Sequence, residues 1–362
     1  MISVAKRDSM YGWADLRNWF SNLKAPVILG LFVICSGCGE SVRTSPVLHG
    51  PTMGTTYTIK LSGLPSGLVL TQVRAEVEAQ LEQINDWMST YRVDSEISRF
   101  NRAQKGEWID VSEPTTQVVK MALALHRLTE GAFDPTVTPW VELWNFGPDP
   151  RRRRTPTQAE IDAAGQWVGA EQIAVRADPP ALRKRAVGLK LDLSGIAKGF
   201  AVDCLAEILD RHGVKGYMIE IGGEIRTRGL NAKQRPWSIG IEAPQDDHRM
   251  IALVLRLRDS CLATSGDYRN FFVEDGKRYS HLIDPRTGRP VEHQLASVTV
   301  LDRSCARADA LATAMMIMGA DLASEFAESQ NLAAMFLVRT DDGFVQRMTS
   351  RFEKETETKV DR

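Results

Sequence analysis

Apolar and polar residues alternate over residues 56–61 (Thr-Tyr-Thr-Ile-Lys-Leu), a period of two that predicts a strand with one face in a core. From residue 70 to 88 the period lengthens. Val73, Val77, Leu81, Ile84 and Met88 recur at three- and four-residue steps, which predicts an amphipathic helix. A second helix is expected over residues 115–129, with Gly131 as its stop, and a short capped one over 157–165. Residues 190–193 are expected to form a strand entering a Gly-containing turn, followed by a helix over 197–212 ended by Gly213. Strands follow over 216–228 and 236–243, with further β content over 253–258 and 261–263. Residues 296–301 predict a strand, 306–318 a helix closed by Gly319, and 332–338 the last strand. Helices and strands mix without a regular βαβ rhythm, so an α+β fold is expected rather than a doubly wound one. No internal repeat interrupts the pattern.

The ends of the chain read differently. Lys6, Arg7, Arg17 and Lys24 precede an apolar run from Ala25 to Ile34, and Cys35-Ser36-Gly37-Cys38 follows it. A basic stretch, a short apolar run and small residues predict a secretory signal over residues 1–37. The run is too short for a spanning helix, which needs about 20 residues. Ser36-Gly37-Cys38 resembles the end of a bacterial lipobox, although Cys35 stands where Leu is usual. On that reading Cys38 is lipidated and holds the chain at the periplasmic face of the inner membrane. The plainer reading is an uncleaved amphipathic anchor. A redox or zinc pair at Cys35 and Cys38 finds no second pair or His cluster to complete it. Residues 38–50 read as a tether, 51–350 as the folded domain, and the Lys/Glu/Thr-rich 351–362 as a frayed tail.

Composition narrows the function classes. Lys plus Arg is 45 and Asp plus Glu is 46, a formal charge of −1, so bulk electrostatic binding of nucleic acid is not expected. Hydrophobic residues at 43 % and charged residues at 25 % exclude whole-chain disorder. Beyond Cys38, only Cys204, Cys261 and Cys305 remain, too few for a complete disulfide set. Arg151 to Arg154 read as a solvated loop, with a phosphate or anionic-lipid contact as the alternative.

No P-loop, GxGxxG after a strand, HExxH or GxSxG motif occurs. Four other segments carry candidate chemistry, each with a plainer explanation beside it. In Asp192-Leu-Ser-Gly195-Ile-Ala-Lys198-Gly199, a helix start and a Lys suit a phosphate or pyrophosphate, or form only a strand-to-helix connection. His281 precedes the turn Asp284-Pro-Arg-Thr-Gly288 and sits polar among apolar neighbours, facing a ligand or simply packed. Asp309 and Thr313, four apart on one helical face, suit a hard cation such as Mg²⁺; the alternative is an Asp near a helix start. Ala132-Phe133-Asp134-Pro135, with Met53-Gly54-Thr55 and Thr90-Tyr91-Arg92, offers groups that line a flat-ring pocket or pack a core. Gly222-Gly223 reads as a tight hairpin.

These segments, with Tyr91–Asn101 and Thr264-Ser265-Gly266, occur in the order seen in the ApbE family of FAD:protein FMN transferases, which the chain resembles over residues 51–338. The resemblance implies mixed sheets flanked by helices, with FAD and Mg²⁺ in a cleft between two subdomains. It implies that the FAD pyrophosphate is split, FMN is placed on a Thr or Ser hydroxyl of a target flavoprotein subunit, and AMP leaves. Targets in the family are flavin-carrying subunits of membrane electron-transfer complexes. FAD contacts are implied at Met53, Tyr91, Ala132, Phe133, Asp134, Asp192, Lys198 and Ile283. Mg²⁺ contacts are implied at Gly195, through its carbonyl, and at Asp309 and Thr313. His281 resembles the family's His near the reacting groups. His281 and Asp284 are the candidate bases, with Lys198 sharing charge neutralisation. Glu220 departs from the family pattern, which often has Asn before the Gly-Gly turn. Two other functions compete: a Mg²⁺-dependent FAD pyrophosphatase that uses water as acceptor, and a non-enzymatic FAD-binding lipoprotein.

Overall fold

The computed structural model describes residues 45–146, 154–244, 250–267, 271–274 and 277–357. The expected signal, Cys38 and Arg151 to Arg153 lie outside the described residues. Eight strands form one sheet in the order Val47–Thr52, Thr55–Ser62, Gly216–Ile221, Glu224–Arg228, Ser260–Gly266, Leu295–Asp302, Ala333–Thr340 and Gly343–Met348. Every neighbouring pair is antiparallel.

The period of two divides this sheet into two faces. Tyr57, Ile59, Ile219, Val300 and Phe336 pack into the main core with the helices Leu70–Met88, Ser194–Arg211 and Cys305–Met318. Met218, Leu262, Leu301 and Met335 face the other way, onto the hairpin Trp237–Ala243/Met250–Leu257 and Phe352. The buried residues of Leu70–Met88 are Val73, Val77, Leu81, Ile84 and Met88, the periodic set read from the sequence. Cys305–Met318 is apolar almost all round and buried nearly all round, as such a helix must be. Gly199 lets it approach: a Cβ there would collide with the Cys305 carbonyl and stand 2.7 Å from Ala306 Cα.

Several expectations need correction. Residues 190–193 form no strand. Asn101 takes the place of a neighbouring strand, accepting from Leu191 N–H at 2.7 Å and donating to its carbonyl at 2.9 Å. The following helix begins at Ser194, three residues early, because Asp192 Oδ1 accepts from Ser194 N–H at 2.8 Å and turns the chain there. The expected tether includes residues 47–50, which belong to the first strand. Ala333–Thr340 is followed by a further strand, and residues 351–357 of the expected tail lie in the helix Ser350–Glu357. Its Phe352 is fully buried, and Thr349 Oγ1 accepts from Phe352 N–H. The described residues belong to one compact unit.

Candidate active site

The first turn of Ser194–Arg211 opens onto a cavity of about 1100 Å³. That volume lies at the upper end of small-molecule sites and suits a dinucleotide. Asp192 sets the turn as described, and its own N–H donates to the Pro135 carbonyl at 2.8 Å, tying the cavity wall to the helix start. Behind that wall Asp134 Oδ1 accepts from Thr136 N–H (2.7 Å) and Thr136 Oγ1 (2.6 Å). His126 Nδ1 lies 3.4 Å from Asp134 Oδ2 and 3.1 Å from the Phe133 carbonyl. Burial pushes the Asp134 carboxyl up, against those hydrogen bonds. Asp134 thus lines the cavity with its carboxylate already engaged in shaping the segment that presents Ala132 and Phe133.

Lys198, one turn into the helix, is the electrostatic centre. Its Nζ stands 3.4 Å from Glu224 Oε1 and 3.6 Å from Asp309 Oδ2. Both carboxylates are buried, while 27 % of the lysine side chain reaches the open cavity. Burial opposes the lysine charge, but Asp309 and Glu224 prevail and hold its ammonium above the usual lysine range. Burial also raises the Asp309 carboxyl, against the pull of Lys198 and of Gly199 N–H, which donates to Oδ2 at 3.1 Å. The Glu224 carboxyl is pushed up to about 8 by the same desolvation. Among the described residues, Glu224 Oε2 is buried without a hydrogen-bond partner.

Two carboxylates thus share one ammonium, leaving room for a further positive charge. Thr313 lies one turn beyond Asp309 on the same helix, and Gly195 faces it. A Cβ on Gly195 would stand 3.5 Å from Thr313 Oγ1 and 3.2 Å from the Phe133 ring, filling the space between them. Carboxylate, hydroxyl and backbone carbonyl oxygens form a donor set that fits Mg²⁺.

His281 lines the cavity with its ring edge-on to Phe146, centroids 6.5 Å apart. Ile283 and Tyr91 line it too, Tyr91 at 74 % exposure. Two candidates do not. Asp284 is held by its neighbour Arg286 through two bonds of 2.9 and 2.8 Å and lies outside the lining. Met53 occupies the hairpin turn at φ 47° and packs against the main core. Glu220 lines the cavity and accepts from Gly223 N–H at 2.9 Å, closing the Gly-Gly turn, a task an Asn side chain also performs.

Glu224 and Asn101 escaped the sequence reading. A signal existed for Glu224: it precedes Ile225 in an alternating strand, so a charge falls on the helix-covered face. Asn101 closes the family-like segment 91–101, but its role could not be read there, since its partner is 90 residues away. Behind the helix Cys305–Met318, Asp203 braces its start. Asp203 accepts from Cys305 N–H and Ala306 N–H, both at 3.1 Å, from Ser304 Oγ at 2.9 Å, and pairs with Arg226 at 2.6 Å. Cys261 and Cys305 complete that cluster, and burial raises the Cys305 thiol far above its ordinary value, so the thiol stays protonated.

An antiparallel sheet bearing this cavity places the chain in a known class. The ApbE family model matches residues 53–336, and the chain belongs to that family. It is 45 % identical over 337 residues to the FAD:protein FMN transferase of Vibrio cholerae serotype O1, covering 93 % of this chain and 98 % of the relative. It is 44 % identical over 319 residues to the protein of that name from Haemophilus influenzae, covering 86 % and 92 %. Among solved structures, the flavin transferase ApbE from Vibrio cholerae superposes with a TM-score of 0.79 at 45 % identity, covering 86 % of this chain and 98 % of the other. The apo flavinyl transferase ApbE of Pseudomonas stutzeri does so at 0.79 and 40 % identity, covering 86 % and 97 %.

Proposed function

We propose that this chain is an FAD:protein FMN transferase that moves FMN from FAD to a Thr or Ser hydroxyl of a target flavoprotein subunit and releases AMP. The observation that carries the reading is Lys198, set between buried Asp309 and Glu224 at a helix start that opens onto a dinucleotide-sized cavity. Phosphoryl transfer depends on placement and charge neutralisation rather than on covalent chemistry by the enzyme. Asp309, Thr313 and the Gly195 carbonyl would hold Mg²⁺, which when bound neutralises charge on the pyrophosphate oxygens. Lys198 and the first-turn amides bind the phosphates alongside it. Phe133 and Ile283 flank the flavin. His281 takes the proton of the attacking hydroxyl. It is preferred to Asp284 because it lines the cavity, whereas Asp284 is held by Arg286.

The signal over residues 1–37 and the lipobox-like end support lipidation at Cys38 and a place at the periplasmic face of the inner membrane. There the enzyme meets flavin-carrying subunits of membrane electron-transfer complexes. The test is co-expression with a candidate subunit and measurement of that subunit's intact mass. A gain of one FMN less water, lost on adding a chelator, is expected. Free FMN without target modification would instead identify a pyrophosphatase, and bound FAD without AMP release a carrier. Cys38→Ser should move the protein from the membrane fraction to the soluble periplasm.

A further inference from the structure

Lys198 stands within ion-pair distance of two carboxylates at once, and one of them, Asp309, is the proposed metal ligand. With no divalent ion bound, the ammonium stands beside the Asp309 carboxylate that the metal would use. Something must hold the lysine when the metal takes that carboxylate. Glu224 is placed to do so: its Oε1 is at 3.4 Å against 3.6 Å for Asp309, and its side chain is 3 % exposed. Its second oxygen has no hydrogen-bond partner among the described residues, so it keeps unspent accepting capacity. Gly222 restricts where the lysine can go. A Cβ there would stand 3.3 Å from Lys198 Cδ and 3.6 Å from Glu224 Oε2, so the turn closes over the lysine stem and the carboxylate together.

We propose that Glu224 is a positioning residue that draws Lys198 off Asp309, frees that carboxylate for the divalent ion, and aims the ammonium at the phosphates. Glu224 does not itself ligate the metal; it acts through the lysine. This rests on the metal site proposed above. Without Glu224, Lys198 has one anion left and closes on it, masking the ligand.

A double-mutant cycle read by Mn²⁺ binding, with free Mn²⁺ measured by electron paramagnetic resonance on flavin-free mature protein, tests it. Glu224→Gln should weaken Mn²⁺ binding about tenfold, a cost of about 1.4 kcal/mol. In the Lys198→Met background the same substitution should change affinity less than about twofold, because no ammonium remains to mask Asp309. Lys198→Met alone should bind Mn²⁺ at least as tightly as the parent, and this arm stands even if Glu224→Gln fails to fold. Three results would overturn the inference: unchanged binding by Glu224→Gln, a penalty that persists without the lysine, or weaker binding by Lys198→Met. A persistent penalty would mean that Glu224 acts on the metal directly. If the parent chain binds no Mn²⁺, the metal reading fails and this inference with it.

Discussion

Single residues divide this site into groups that touch the substrate and groups that shape the space. Asp309, the proposed metal ligand, stands with the first, and Asp309→Asn keeps a similar volume and an acceptor for Gly199 N–H while removing the charge. Transfer to a target subunit should fall about 10²- to 10³-fold, read by intact mass, with the melting curve little changed. Gly195 belongs to the second group. Ala is the better helix former by up to about 1 kcal/mol, yet its methyl would stand 3.2 Å from the Phe133 ring beside Thr313 Oγ1. Gly195→Ala should therefore hold or raise the melting temperature while weakening FAD uptake about tenfold, by flavin fluorescence titration. At this scale the sequence was most legible where partners share one helix. Asp309 and Thr313 could be paired by spacing alone, and Lys198 placed beside a helix start. Glu224 reaches them only after the sheet folds, through a register no local pattern specifies.

Elements were legible where their own periodicity agreed with their surroundings. The Leu70–Met88 helix has the bounds read from the sequence, because its apolar stripe meets a core wide enough to cover it. Residues 190–193 misled because apolar alternation indicates burial, and Asn101 satisfied the backbone without a neighbouring strand. The C-terminal helix misled for the opposite reason. Ser350–Glu357 is polar along most of its length, and one aromatic residue seats it against the far face of the sheet. Phe352→Ala should cost about 3–5 kcal/mol, measured by denaturant unfolding, if that seat contributes as a buried aromatic normally does. A truly frayed end would show almost no change.

For the molecule as a whole, class and strand content followed from the sequence, but the shape of the cleft did not. A single eight-stranded sheet runs from the first described strand to the last, and a sheet of three short strands, Trp108–Asp110, Pro180–Lys184 and Ile173–Ala177, is separate from it.

The helix Cys305–Met318 has scarcely any surface of its own, so whatever grips Asp309 grips the interior. An occupant at a hundredfold excess over its Kd adds about 2.7 kcal/mol to the whole fold. A dye-based melting assay in a multiwell plate would therefore report flavin analogues, nucleotides and metals alike, with no target protein and no chemistry. The enzyme can be screened as a thermometer before its natural acceptor is in hand.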